Sequence, residues 1–521
     1  MLLPLGASCG REAPPEGPKH LVFVVIDTLR ADALIDPANI VDTPNLDRFA
    51  HGGSAYSRAF SHAPMTLPSH AALFSSREPY ATGVLNNGQS VSDDLPLFAQ
   101  HLDQLGFETI GVYSLGTLHP AHGSGSSLDR GFDDYNGTSP YVGTAEEVVR
   151  QTAQRLEELD RRAAAVPQQA NVNAAGALAP RRFLFCHFAD PHEPYNDRAN
   201  SPNTARLSLN GVALGAPRST TVMSAVAEQL ELLPGENVLA IEADHPILLR
   251  AMQLTSGRRE IQFDRSLLRK PLQSAEIRFT AGPRAKRAKL QLWLTDDAPW
   301  DDIPDRYISE VEYVDAWFGR LTAMLKRRGI LDDCILVFTS DHGEAFGEHG
   351  YWAHVQSVHE EMIHVPLFLW TAEKHRWLLD ELPPSHAPVS HIDLVPTLLD
   401  LMDLPALPGA VGSSLVGGRS TPFLHLAETH TPESRANMLC LRDENRKLIY
   451  FADEDRFELF HLDSDPLEKH DLFAAHGGEL VEWQKQLRQR SGEALAARSE
   501  TGDLSEAELE VLRALGYLGD D

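Results

Sequence analysis

Leu21-Val22-Phe23-Val24-Val25-Ile26-Asp27 is a run of six apolar residues, four of them β-branched, closed by a carboxylate. Unbroken apolarity over so short a span predicts a strand buried on both faces, the kind found in a parallel sheet covered by helices. The texture returns in Phe183-Leu184-Phe185-Cys186-His187-Phe188, in Ile335-Leu336-Val337-Phe338-Thr339-Ser340 and in Val365-Pro366-Leu367-Phe368-Leu369-Trp370. Helical segments alternate with these strands. Thr43 precedes Pro44 as an N-cap, residues 95–105 are amphipathic, and Thr144-Ala145-Glu146-Glu147 is a capping box opening a helix to about residue 165. Further helices are predicted over 306–328 and 392–402. The expected fold class is α/β: a doubly wound, mostly parallel sheet flanked by helices.

Outward from this core the pattern changes twice. Across 199–297 apolar residues alternate at period two, as in Ala205-Arg206-Leu207-Ser208-Leu209 and Lys289-Leu290-Gln291-Leu292-Trp293-Leu294, which predicts an inserted antiparallel β-sandwich serving as a spacer or lid. From 421 onward a small α+β subdomain is expected. The divisions are therefore 1–18, a signal remnant and tether; 19–198 and 298–420, the two parts of the α/β core; 199–297, the sandwich; and 421–521, the tail. A Pro/Gln/Ala/Asn linker occupies 166–180.

Composition narrows the function. A chain of 521 residues needs more than one structural unit, and 42% apolar with 23% charged residues is ordinary for a globular protein. The formal charge of −28 excludes nucleic acid as the main partner. Cys186, Cys334 and Cys440 sit in or beside apolar runs and read as core residues, with no zinc-type Cys spacing and no disulfide framework. Cys9, after Gly6-Ala7-Ser8, resembles a bacterial lipoprotein cleavage site, so the expectation is an exported, periplasmic or membrane-anchored protein tethered through a lipidated Cys9. No other stretch approaches the ~20 apolar residues that span a bilayer.

In doubly wound sheets, active residues gather beyond the carboxyl ends of the strands. Four such ends carry polar groups here: Asp27, Ser114 with Thr117, Asp190-Pro191-His192, and Asp341-His342. Taken singly, Asp341 also reads as an N-cap and His342 as a buried hydrogen-bonded ring. Together, Asp27, Asp341 and His342 offer two carboxylates and an imidazole, a set suited to one divalent ion, Mn²⁺ or Zn²⁺ more than Ca²⁺. Such an ion lowers the pKa of a coordinated hydroxyl, and the loop Thr66-Leu67-Pro68-Ser69-His70 offers Thr66 as that nucleophile and fourth ligand.

These segments, with Val25-Ile26-Asp27-Thr28-Leu29-Arg30-Ala31-Asp32, Thr43-Pro44-Asn45-Leu46-Asp47, Arg77, Gly83-Val84-Leu85-Asn86-Asn87-Gly88, Phe188-Ala189-Asp190-Pro191-His192-Glu193-Pro194-Tyr195 and Asp341-His342-Gly343-Glu344, resemble the sulfatase family of the alkaline phosphatase superfamily. The tail matches as well, in residues 458–466 and in Leu515-Gly516-Tyr517-Leu518-Gly519. The resemblance implies a metal held by Asp27, Asp341, His342 and Thr66. It implies that His192 and His354 meet the transferred group or the leaving oxygen, and that Asn87 and His70 contact substrate. His349, in Gly347-Glu348-His349-Gly350, is read as catalytic or structural.

Departures from the family pattern point to the chemistry. Thr66 stands where the pattern has a Cys or Ser that matures to formylglycine, and threonine cannot give that aldehyde. His70 replaces the pattern's arginine, Thr28 the second aspartate, and Asp341-His342 the usual Asp-Asn pair. The last changes resemble phosphonate monoester hydrolases and the phosphoethanolamine and phosphoglycerol transferases. The expected activity is metal-dependent hydrolysis of phosphate, phosphonate or sulfate esters by Thr66, on a substrate that is glycan- or lipid-linked. A transferase acting on envelope lipids or glycans and a catalytically impaired glycan-binding protein are the alternatives.

Overall fold

The computed structural model describes residues 16–35, 41–120, 128–138, 142–165, 180–193, 195, 205–214, 223–256, 259–261, 271–282, 287–296, 303–431 and 436–497. Cys9 and most of its tether, the linker over 166–179 and the tail motif Leu515-Gly516-Tyr517-Leu518-Gly519 lie outside the described residues.

Eight strands make the central sheet: β1 (His20–Ile26), β2 (Ser54–Phe60), β3 (Phe107–Tyr113), β4 (Asp134–Gly137), β5 (Arg181–Phe188), β6 (Cys334–Ser340), β7 (His364–Thr371) and β8 (Val389–Ser390), in the order β8-β2-β7-β6-β1-β5-β3-β4. All neighbours pair in parallel except at β7, which runs antiparallel to both β6 and β2. The apolar run at 365–370 is thus a strand as expected. It reverses because residues 341–363 contain no long crossover helix, and the chain re-enters the sheet at the end where β6 left it. That return keeps His342, Glu344 and His354 at one end of the sheet.

Side-chain alternation divides the core in two. Leu21, Phe23 and Val25 of β1, with Phe183 and Phe185 of β5 and Ile335 and Val337 of β6, join one apolar cluster with Leu67, Ala71 and Phe74 of the helix Thr66–Ser75. Val22, Val24 and Ile26 face the other side, against Phe49 of the helix Pro44–Gly52, Val148 of the helix Ala145–Ala165 and Phe318 of the helix Ile303–Arg327. Phe74 anchors the first helix edge-on to Phe23 and Phe185, with ring centroids 5.8 and 5.1 Å away. Burying such a ring contributes about 2–3 kcal/mol.

The Thr144 capping box forms, Glu147 N–H donating to Thr144 Oγ1 at 3.3 Å and Thr144 N–H to Glu147 Oε2 at 3.2 Å. Thr43 differs from expectation. It precedes Pro44, but its hydroxyl donates to Asp47 Oδ1 at 3.2 Å and makes no bond to the helix backbone.

Between 205 and 296 the described strands form one antiparallel sheet around the 22-residue strand Gly235–Ser256, and Leu207, Ile241, Met252, Ile277 and Leu290 share its apolar cluster. Strands His425–Thr431, Ala436–Arg442, Arg446–Phe451 and Arg456–His461 form a four-stranded antiparallel sheet. Leu487 of the helix Val481–Ala497 packs on it with Leu439 and Leu459. No helix among the described residues is long and apolar enough to cross a membrane. Cys186, Cys334 and Cys440 are buried free thiols.

Candidate active site

Register brings the site together. Ile26 of β1 pairs with Ser340 of β6 and Phe188 of β5, so Asp27 and Asp341 leave the sheet side by side, next to the segment that carries His192. The period of two continues past the strand ends. Asp27 and Asp341 fall on the face of Val25 and Thr339, which the helix Thr66–Ser75 covers. His187 pairs with Val25 and falls on that face too. Thr66 opens the helix and His70 follows one turn later, so both meet the carboxylates. Ser69 fastens this end, its hydroxyl donating to the Asp341 carbonyl at 2.7 Å.

Asp27, Thr66, His70, His187, Asp341 and His342 are wholly inaccessible. One ligand atom each from Asp27, Asp341 and His342 lies within 4.8 Å of the others. His342 Nε2 is 3.7 Å from Asp27 Oδ1 and 3.5 Å from Asp341 Oδ2. Both oxygens of Asp27, Oδ2 of Asp341 and Nε2 of His342 make no well-directed hydrogen bond among the described residues. Buried polar atoms normally make directed hydrogen bonds, and here four that make none converge. No lysine or arginine among the described residues pairs with either carboxylate; their ion-pair partners are His70, His187 and His342. Burial raises both carboxyls, with His192 and His342 pulling Asp27 back down and the Asp27 charge pushing Asp341 further up, to about 7. Two buried carboxylates with no cationic side chain, and an imidazole lone pair between them, fit a divalent cation.

Thr28 holds this geometry at a cost. Its φ of 56° lies in the left-handed region that a β-branched residue rarely occupies. Its N–H donates to Asp341 Oδ1 at 3.3 Å, and the Tyr307 hydroxyl donates to its carbonyl at 2.9 Å. Strain maintained in this way is typical of functional sites.

Around Asp27, Asp341 and His342 lie the other expected residues. Asn87 is buried; its Oδ1 accepts the Leu67 N–H at 2.9 Å and its Nδ2 has no partner among the described residues. His192 and His354 are ring neighbours with centroids 4.8 Å apart, and His354 is 4.9 Å from His342. Burial lowers both, His354 to about 4. His354 Nδ1 is 3.0 Å from Glu344 Oε1, and Glu344 Oε2 accepts the Tyr195 hydroxyl at 2.6 Å. Burial pushes Glu344 up to about 7. Of the other strand-end groups, Ser114 and Asp190 are spent on structure. The Ser114 hydroxyl links the backbones of His187 and Ala189, and Asp190 Oδ2 accepts the Ala145 N–H that opens a helix. His349 lies elsewhere, hydrogen-bonded to Glu361 and stacked on His359.

Two residues in this centre were not singled out as site residues from the sequence. His187 stands inside the apolar run Phe185-Cys186-His187-Phe188, and the sequence gives it no role. Glu344 was visible beside Asp341-His342, without a sign of its contact to His354.

Comparison with known proteins agrees with this architecture. The profile of the Sulfatase family matches residues 19–404, and the chain belongs to that family. It is 24% identical to an N-acetylglucosamine-6-O-sulfatase of Bacteroides thetaiotaomicron, over 94% of this chain and 89% of that one. It is 23% identical to a choline-sulfatase of Rhizobium meliloti, over 87% and 82%. Among solved structures, a protein in complex with its substrate D-glucosamine-2-N,6-O-disulfate superposes with a TM-score of 0.58 at 17% identity, covering 93% of this chain and 98% of that one. The phosphonate monoester hydrolase of Silicibacter pomeroyi gives 0.55 at 18% identity, covering 91% and 96%.

Proposed function

We propose that the protein is a metal-dependent hydrolase that cleaves phosphoryl-type esters, phosphate or phosphonate, through Thr66. The observation that carries this is the burial of the Thr66 hydroxyl at a helix start beside His342 and the Asp27 and Asp341 carboxylates, which no lysine or arginine among the described residues neutralises. Asp27, Asp341, His342 and Thr66 would hold the ion. When bound, a divalent cation supplies Lewis acidity and lowers the pKa of the hydroxyl.

The chain's own residues do the rest. Asp27 neighbours the Thr66 hydroxyl and is placed to take its proton. Oγ1 of Thr66 attacks phosphorus in line with the ester oxygen, and that P–O bond breaks as the new one forms. The Glu344–His354 pair carries a proton near neutrality, because burial raises Glu344 to about 7, and it can protonate the departing alkoxide. Asn87 Nδ2 is a spare donor for a non-bridging oxygen, and His192 stands over the same space. Water then attacks the phosphoryl-threonine, losing a proton to the Glu344–His354 pair, and the Thr66 oxygen leaves with the proton held by Asp27.

A threonyl sulfate has no second hydroxyl from which to eliminate, so sulfate esters are the poorer substrates in this reading. The sulfated sugars and choline sulfate named for the relatives support the second reading, sulfate-ester hydrolysis on a glycan. A lipidated Cys9 would hold either enzyme at an envelope surface. Assaying chromogenic phosphate diesters, phosphate monoesters, phosphonate monoesters and sulfates side by side, with Thr66→Ala as control, tests the choice. Phosphoryl-type turnover lost in Thr66→Ala supports the proposal, and turnover of sulfates alone rejects it.

A further inference from the structure

We propose that His70, His187 and Asp341 form a second metal site, adjoining the first through Asp341 and taking a borderline divalent cation such as Zn²⁺. The proposal rests on reading Asp27, Asp341 and His342 as a metal centre. One ligand atom each from His70, His187 and Asp341 lies within 4.8 Å of the others. All three side chains are wholly inaccessible.

The unpaired atoms fit two ions better than one. His187 makes no well-directed hydrogen bond among the described residues, its Nε2 facing Asp27 Oδ2 at 3.2 Å, and His70 makes none on Nε2. His70 Nδ1 faces the Thr66 carbonyl at 2.8 Å, which orients the ring and leaves Nε2 as its open lone pair. The two oxygens of Asp27 face different histidines: Oδ1 lies 3.7 Å from His342 Nε2, and Oδ2 lies 3.2 Å from His187 Nε2. Asp341 Oδ1 is committed to the N–H groups of Thr28 and His342, at 3.3 and 3.0 Å. Its Oδ2 is open, 3.5 Å from His342 Nε2 and 3.7 Å from His70 Nδ1. Asp27 thus lies between His342 and His187, and the open oxygen of Asp341 lies between His342 and the His70 ring.

The donor chemistry agrees. Two imidazoles and a carboxylate are the three-ligand set of zinc sites that keep a position open for a further ligand. A pair of ions sharing carboxylates is a recurrent device in phosphoryl-transfer enzymes, where it stabilises the attacking and leaving oxygens. His70 stands where the sulfatase pattern has arginine, so a dication at this point restores positive charge beside Thr66 that a neutral imidazole does not supply.

The test is the zinc content of the full chain, stripped with chelator, re-equilibrated with zinc chloride and freed of excess ion. Two zinc ions per chain are expected in the native protein and one in each of His70→Asn and His187→Asn. The native protein loaded with Mn²⁺ provides a check that needs no variant, since neighbouring ions give an exchange-coupled EPR spectrum and a lone ion gives six lines. One zinc per native chain with a six-line Mn²⁺ spectrum overturns the second site and leaves the first standing, whether or not the histidine variants keep that ion. Two zincs in the variants as well would move the second ion away from these histidines. No zinc in the native protein would overturn both sites.

Discussion

His70 Nδ1 lies 2.8 Å from the carbonyl oxygen of Thr66, one helical turn upstream. The spacing of four residues that puts an imidazole against its own helix start also puts it 3.7 Å from Asp341. The residue standing where the family pattern has arginine is therefore built into the centre and does not leave a hole there.

In the proposed mechanism turnover depends on Thr66. Thr66→Ala should lower kcat/KM by roughly 10³–10⁶-fold, the range seen when a nucleophile is removed. Thr66→Ser keeps a hydroxyl at the helix start and should retain measurable turnover. Steady-state kinetics, with thermal melts showing both variants folded, check the pair.

Metal removal should destabilise the fold. Asp27 and Asp341 are buried without a lysine or arginine partner among the described residues, so the proposed ion would be what stabilises their charge. At a free ion concentration of a hundred times Kd, binding contributes about 2.7 kcal/mol. Chelator should lower the unfolding free energy by at least that amount, and the double variant Asp27→Asn with Asp341→Asn should lose the response. Denaturant titrations with and without chelator measure it.

His349 makes a pH-dependent contribution away from this centre. Burial pulls its pKa down, but the carboxylate of Glu361, 2.9 Å from Nδ1, more than reverses that and holds it at about 9. With a folded value above the unfolded one, its stabilisation is complete below about 6.5. It is lost as pH rises through about 9. His349→Gln should therefore cost stability at pH 6 and little at pH 10. Melts across that range read the difference.

Lys447 ties the C-terminal sheet to the loop that follows β6. Its wholly inaccessible ammonium lies 2.9 Å from both Glu360 and Glu468, and Arg442 lies 2.8 Å from Glu360. Removing one partner of a buried network leaves uncompensated charge and costs about 3–5 kcal/mol. Lys447→Met should lose that much in equilibrium unfolding.

The parts of this architecture legible in the sequence were those with a short-range signature. The runs ending at Asp27 and Asp341 announced two buried strands, and Thr144 with Glu147 announced a helix start. That Ile26 and Ser340 lie in register, across more than three hundred residues, had no local sign. The pairing of His354 with Glu344 and of His187 with Asp27 was hidden for the same reason. β2, with Ser54, Ser57 and Arg58 among its seven residues, lacks the apolar run that marked its neighbours. The reversal of β7 was unreadable too, because strand direction depends on where the intervening chain travels.

The most direct test is to catch the covalent step. The metal-loaded protein is mixed with a phosphate diester or phosphonate ester, quenched in acid during turnover, digested and sequenced by mass spectrometry. Phosphoryl or phosphonyl mass on Thr66, absent from Thr66→Ala, is the predicted result. Full turnover in Thr66→Ala, or an adduct on another residue with Thr66 unmodified, would contradict it.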